Sequence, residues 1–399
     1  MPTVRLVAVL LPCALVASSA LAQGTSSSPT FDPFVVLLSG YESNARLTYE
    51  SPATPEADVS GSAVISLEAG ADLTSRSRSL DLRFTPWAML RLPTISAKLT
   101  DAELQLPLLM RLPINALLDF DLRCFSEIVV GRASPVFLDR GTTTTRIGTQ
   151  RHWAATTDIQ PGLTVELHPT LSATVAPRLR FRTQRYTETP FDDESTFRYF
   201  AGGGAIAIAW EALSWLRVRV NYDVAHRIYD GIFARPVSYN PVSGRRLRAT
   251  LHTAGTKARI RFGPGTTLSV QYAARLGDDN GGYLGYLDHI LRARLRLAFG
   301  ERFYFDGTLY FAARNYGKRT PCQAERLGAD RVYRGSDCSG PTAAQVHVEH
   351  ALRVSANATY YLWDWLGVVA RYELEDAATD QVDPLAADHR LLGGVTFDL

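Results

Sequence analysis

Lysine is nearly missing from this chain: it occurs only at Lys98, Lys257 and Lys318, so almost all of the 42 basic side chains are arginine. A GC-rich genome is enough to explain that choice of cation, but not the way the arginines cluster. Long apolar runs are missing too. After the N-terminus no stretch is long and apolar enough to cross a bilayer as a helix, which excludes a helical membrane protein. There are only four cysteines, and they lack the close paired spacing that a zinc site needs. No phosphate-cradling glycine loop and no nucleic-acid module is visible, so no cofactor, metal or nucleic-acid partner is expected. At 46% hydrophobic and 21% charged residues, the composition is ordinary for a globular protein. Composition therefore decides little, and periodicity has to decide the fold.

The N-terminus has the build of a Sec-type signal. Arg5 supplies a positive start, Leu6 to Val16 an apolar run, and Ala20-Leu21-Ala22 a small-x-small cleavage site before Gln23. The alternative is a membrane anchor, but the run is too short to span and is followed directly by a Gly/Ser/Thr-rich stretch. Cys13 follows Pro12, where a lipidated cysteine would want a small residue. The expected organisation is signal peptide 1–22, a flexible linker 23–33 and one folded unit over 34–399. Cys322 and Cys338 flank a polar, glycine-bearing stretch without alternation, and are read as a disulfide closing a surface loop in an oxidising compartment. That leaves Cys124 within an apolar alternating run, as packing against lipid.

Strict period-two alternation recurs along the rest of the chain, and the face opposite the apolar one is charged. Leu291, Ala293, Leu295, Leu297 and Phe299 alternate with Arg292, Arg294 and Arg296. Val175, Leu179 and Phe181 share a run with Arg178, Arg180 and Arg182, and Leu216, Val218 and Val220 with Arg217 and Arg219. A packed interior would not tolerate such charge. Each run is about ten residues or longer, enough for a tilted strand to cross a bilayer. Turns alternate between short ones, such as Gly263-Pro264-Gly265 and Gly300-Glu301, and long polar ones, such as Arg132 to Thr157 and Tyr316 to Thr342. The pattern predicts an all-β fold: a closed antiparallel transmembrane β-barrel of about sixteen strands. Ser79 to Val130 leaves fourteen or eighteen open. A soluble β-sandwich shares the alternation; the signal peptide, strand length and turn asymmetry separate the two. Facing parity reverses between Leu247–Leu251 and Lys257–Phe262, which suggests a bulge near Gly255.

Two segments carry a resemblance. Leu391 to Leu399 alternates to the carboxyl end, and Gly394, Phe397 and Leu399 match the glycine and hydrophobic positions of the C-terminal assembly signal of outer-membrane barrels. It departs at Leu392, where a polar residue is usual, and in ending on Leu instead of an aromatic. Gly40-Tyr41-Glu42-Ser43-Asn44-Ala45-Arg46 resembles the opening strand of porin-2-like β-barrel porins, including barrels associated with exopolysaccharide secretion. The resemblance implies an architecture, the outer membrane as location, the barrel-assembly machinery as a partner, and passage of a solute or polymer.

On this reading Arg178, Arg180, Arg182, Arg217, Arg219, Arg246, Arg248, Arg292, Arg294 and Arg296 form a basic lumen wall. Asp81, Asp119 and Asp121 form an acidic wall elsewhere on the circumference. Guanidinium forks bind carboxylate and phosphate bidentately, so the basic wall would guide anionic solutes or an acidic polysaccharide. The bland alternative is a set of interstrand ion pairs that neutralise the lumen. Two other functions stay open. One is a non-conducting scaffold or adhesin acting through Tyr316 to Thr342. The other is a barrel hydrolase, for which Asp388-His389 at the outer rim is the best of a weak set with Asp288-His289 and His347/His350. No catalytic residue is expected. Outer-membrane lipid and lipopolysaccharide are the expected surroundings, and oligomeric state is not legible.

Overall fold

In the computed structural model the described residues are 29–48, 58–77, 80–94, 100–132, 151–186, 196–233, 245–281, 285–316, 347–379 and 388–399. They form one antiparallel sheet closed on itself. Its strands are β1 (Thr30–Thr48), β2 (Asp58–Arg76), β3 (Asp81–Phe84), β4 (Trp87–Pro93), β5 (Asp101–Pro113) and β6 (Leu118–Arg132). They continue with β7 (Arg151–His168), β8 (Leu171–Tyr186), β9 (Thr196–Leu213), β10 (Leu216–Phe233), β11 (Arg246–Gly263) and β12 (Thr266–Asp279). The last are β13 (Tyr286–Phe299), β14 (Phe303–Tyr316), β15 (His347–Trp363), β16 (Leu366–Thr379) and β17 (Asp388–Asp398).

Strands β3 and β4 are two halves of one. Both pair with β2 on one side and β5 on the other, with the register unchanged across Thr85-Pro86. Pro86 has no N–H to give, but its carbonyl still accepts from Ala71 N at 3.1 Å, and Thr85 N donates to Pro107 O at 3.1 Å. The wall therefore has sixteen strands, an even number. β1 pairs with β17 from Phe34↔Asp398 to Glu42↔Arg390, so no strand edge remains to be satisfied.

Connections alternate as the turn chemistry implies. At one end lie two- to four-residue turns, and at the other the long polar links. The turn between β11 and β12 shows why glycine is needed: Gly265 has φ +75, a region closed to most side chains, directly after Pro264. Both termini of the sheet, Thr30 and Asp398, lie at the short-turn end, as in bacterial outer-membrane barrels.

In-register partners can be followed around the wall from Tyr222 through Ala254, Ala274, His289, Ala313 and His350. One circuit returns to β10 about 20 residues further along, which for this strand number means a tilt of about 40° and a backbone radius of about 15 Å.

Two strand boundaries, one bulge and one cysteine differ from expectation. β1 starts at Thr30, inside the stretch read as linker, because Thr30 to Pro33 complete a ladder with Ala71 to Thr74. β7 starts at Arg151, inside the stretch read as a long loop, since Ala154 and Ala155 carry no strong alternation although both are paired with β6. There is no bulge near Gly255: β11 keeps one register with β12 from Ala249 to Arg261. The parity reversal is instead a change of surroundings. The outer end of β11 turns Leu247 and Leu251 inward, where Leu247 packs with Tyr199, Ala201 and Tyr229. Cys124 is disulfide-bonded to a partner outside the described residues, and is not the unpaired cysteine expected. Alternation tells which face a thiol lies on, not which segment reaches it. Cys322 and Cys338 lie outside the described residues, as do residues 1–22.

Candidate functional site

The candidate site is the lumen. Its face is identified by ion pairs that skip strands, because side chains on a convex surface diverge while those on the concave side converge. Arg178 on β8 reaches Asp223 on β10 at 3.6 Å, passing over β9. Arg371 on β16 pairs with Glu68 on β2, passing over β17 and β1. Arg91 on β4 meets Glu373 on β16 at 3.4 Å. Three strand spacings measure about 14 Å along a sheet, so the wall must bend sharply inward where β17 meets β1.

That corner has its own core. Val36, Leu38, Val64, Val369 and Leu392 are buried together on the inner face. Beyond them sit three glutamates and three arginines, connected through Arg390 Nε, which donates to Glu42 Oε1 at 2.9 Å, and Arg390 Nη1, which lies 3.4 Å from Glu373. The opening-strand motif is thereby explained residue by residue. A Cβ on Gly40 would overlap the Leu391 carbonyl, Glu42 is wholly buried against Arg390, and Ser43 Oγ accepts from His389 N at 2.9 Å. Gly394, in the segment resembling an assembly signal, likewise lies so close to Leu37 that a Cβ would overlap its carbonyl oxygen. Phe397 stacks against Trp365 with centroids 6.4 Å apart on the outer face, and Leu399 is exposed just past the strand, its N donating to Pro33 O at 2.9 Å.

The arginines do not form a single wall. Arg178 and Arg180 both donate from Nε to Asp158 on β7 at 2.9 Å, and with Asp223 3.6 Å from Arg178 two carboxylates balance the two guanidinium groups. Arg182 shares their parity at the outer end of β8. On the stretch of wall from β10 to β13 the situation differs. Arg217 and Arg219 on β10, Lys257, Arg259 and Arg261 on β11, and Arg292, Arg294 and Arg296 on β13 face inward along the short-turn half of the lumen. Lys257 has Arg259, Arg219, Arg294 and Arg292 as its charged neighbours. Asp306 accepts from Arg294 Nε at 2.9 Å and Arg296 Nε at 3.1 Å, and Glu211 lies 3.8 Å from Arg217. Among the described residues no carboxylate pairs with Arg219, Lys257, Arg259 or Arg261. Arg292 instead lies over the Tyr310 ring at 5.2 Å. Lys257, Arg259 and Arg261 were not among the expected lumen residues, because the supposed bulge took them out of the pattern.

Arg246 and Arg248 do not belong to this set. Their parity on β11 is that of His252 and Ile260, and both point outward. Nor is there a bare acidic wall. Asp81, Asp119 and Asp121 all face inward, but Arg111 binds Asp119, Asp121 accepts from Thr164 Oγ1 at 2.8 Å, and Asp81 lies 3.7 Å from Arg76. A β-strand places successive residues on opposite faces, so each acidic residue could be met by an arginine one strand away.

The outer face is an apolar band between two aromatic belts. On the short-turn side lie Trp210, Trp215, Phe262, Phe299, Trp363 and Trp365, all exposed. On the other side tyrosines meet histidines: Tyr222 with His252 at 2.6 Å, Tyr272 with His289 at 2.7 Å, and Tyr372 with His389 at 2.9 Å. On β13 the distance from His289 to Phe299 is about ten residues, which at this tilt makes a band about 25 Å tall. The hydrolase candidates lie in this belt. Asp288 faces the lumen, held by Arg314 Nε at 2.6 Å, while adjacent His289 faces out. His389 also faces out, and His350 stacks on Phe311 with centroids 6.2 Å apart. Among the described side chains none of His289, His350 and His389 is paired with a carboxylate: Tyr272 bonds His289, Tyr372 bonds His389 and Phe311 stacks on His350. Tyr316 to Thr342, apart from Tyr316 itself, lies outside the described residues.

A closed barrel with a polar inside and an apolar belt outside is a transmembrane β-barrel of the bacterial outer-membrane type. No protein-family model matches the chain, and no curated protein matches its sequence. Among solved structures it is similar to OmpT, an outer membrane protein of Vibrio cholerae. That likeness has 11% identity and a TM-score of 0.45, over 94% of this chain and 99% of that one. It is also similar to OccD3 (OpdP) of Pseudomonas aeruginosa, with 10% identity and a TM-score of 0.37 over 94% and 93%. CdiB from Acinetobacter baumannii gives 7% identity and a TM-score of 0.45 over 94% of this chain and 60% of that one.

Proposed function

We propose that this protein is an outer-membrane channel that passes small anionic solutes or an acidic polysaccharide through its lumen. The observation that carries the reading is the strip of Arg219, Lys257, Arg259, Arg261 and Arg292, which faces the lumen without carboxylate partners among the described residues. On other parts of the wall arginines are paired with carboxylates, as at Arg178–Asp158 and Arg371–Glu68, so in the short-turn half this strip dominates the local field. In a water-filled passage with low-dielectric walls such a strip concentrates anions and repels cations. Guanidinium groups also offer successive bidentate sites for carboxylate or phosphate, from which a solute is handed on.

In a planar lipid bilayer the purified protein is expected to show discrete conductance steps with anion preference. Replacing Arg219, Lys257, Arg259 and Arg292 together by glutamine should bring the anion-to-cation permeability ratio close to unity while leaving the steps. A channel that stays silent, even after deletion of the outer loops, overturns the transport reading and leaves the fold standing.

A further inference from the structure

The two arginines that the register removes from the lumen remain to be explained. Arg246 and Arg248 face outward at the outer end of β11, four to six residues beyond His252, or about 10–15 Å past the outer aromatic belt. Arg198 on β9 faces outward beside them, across Asp230 on β10, with which it is in register. The three arginines are exposed; of the two outward-facing carboxylates beside them among the described residues, Asp230 is a loose partner of Arg246 at 3.7 Å, with both groups more than half exposed, and Asp278 on β12 stands across from Thr250, two residues below Arg248. Two residues below Arg198, towards the membrane and level with Arg248, the same outer surface is apolar: Phe200 and Ile228 are exposed, and Phe200 packs on Phe181 with ring centroids 4.9 Å apart. His226, bonded to Thr250 Oγ1 at 3.1 Å, lies two residues further towards the membrane.

The backbone carrying this patch is fixed. Asn280 Oδ1 accepts from Arg248 N at 3.1 Å, and Asn280 Nδ2 donates to Arg246 O at 2.9 Å. One side chain thus clamps the segment between the two arginines, which lowers the ordering cost of presenting them together. Exposed apolar rings under a pre-set group of guanidinium forks match an amphiphile: acyl chains below and an anionic head above.

We infer that Arg198, Arg246 and Arg248 form an outward-facing binding site for the phosphate groups of a phosphorylated glycolipid in the outer leaflet. The shared chemistry is phosphate recognition by guanidinium, and the apolar surface beneath favours a lipid-borne phosphate over a free one. Binding here does not depend on the lumen conducting.

The test uses the full folded protein in dodecyl maltoside, titrated with bisphosphorylated lipid A, with its dephosphorylated form, and with inorganic phosphate, and read by native mass spectrometry. Bisphosphorylated lipid A should bind at least about tenfold more tightly than the dephosphorylated lipid, and inorganic phosphate should not displace it. The triple variant Arg198→Gln, Arg246→Gln, Arg248→Gln should lose that preference, whereas Arg219→Gln with Arg259→Gln in the lumen should keep it. Each single substitution is measured as well, with heat-modifiable mobility on gels as the check on folding. Equal binding of both lipids, unchanged binding by the triple variant, or displacement by inorganic phosphate overturns the assignment.

Discussion

Replacing Glu42 by glutamine should weaken the barrel where it closes. Glu42 is 0% exposed and accepts from Arg390 Nε at 2.9 Å, so the substitution keeps the volume and one acceptor but removes the negative charge. Removing one partner of a buried ion pair costs about 3–5 kcal/mol, because the other charge remains buried. Here Glu373 lies 3.4 Å from Arg390 and still neutralises part of it, which brings the expected loss below that range, to about 2–3 kcal/mol. The pair should behave as a unit: Glu42→Gln with Arg390→Met should lose less than the sum of the two single changes, by about 1 kcal/mol or more. Urea unfolding of the protein reconstituted in lipid vesicles, followed by tryptophan fluorescence and extrapolated to water, measures each value. A Glu42→Gln variant within about 0.5 kcal/mol of the parent, or strictly additive losses, would refute the idea that this corner is held by its buried charges.

Two further outcomes follow from the same geometry. Asp158→Asn frees Arg178 and Arg180 from their shared carboxylate and should raise the anion preference of the channel, whereas Arg178→Gln with Arg180→Gln leaves Asp158 and Asp223 uncompensated and should lower it; reversal potentials in a salt gradient distinguish these. Gly394→Ala forces a Cβ into the Leu37 carbonyl, so the β1–β17 ladder must separate there, and the yield of folded, heat-modifiable protein in the membrane should fall sharply; parental yield would show that the ladder relaxes at no cost.

Much of the architecture was legible because hydrocarbon and water impose opposite demands on alternate residues. The run from Leu291 to Phe299 identified the lipid face of β13 without any coordinates, and the arginines between them are where parity put them. The same rule failed at Arg246 and Arg248. It assumes that the outer face is always the apolar one, which holds only where lipid touches the wall. Above the aromatic belt the inner face is packed, as at Leu247, and the arginines turn out, so the pattern inverts with no break in register between β11 and β12. Thr85-Pro86, inside the Ser79 to Val130 stretch that left the strand count open, shows another kind of ambiguity: the proline interrupts the strand, and only the neighbouring ladders carry it across as one.

Period, strand length and turn spacing thus set the class of fold and the two faces of each strand, since these depend on neighbours along the chain and on the solvent each face meets. Which charges cancel was decided only by closure. Whether Arg178 is neutralised while Arg259 stays open depends on what stands one, two or three strands away, and Arg371 meets Glu68 only because the wall bends at its last joint. Distances between residues far apart in sequence are fixed by the register and curvature of a closed sheet, and no local pattern encodes them.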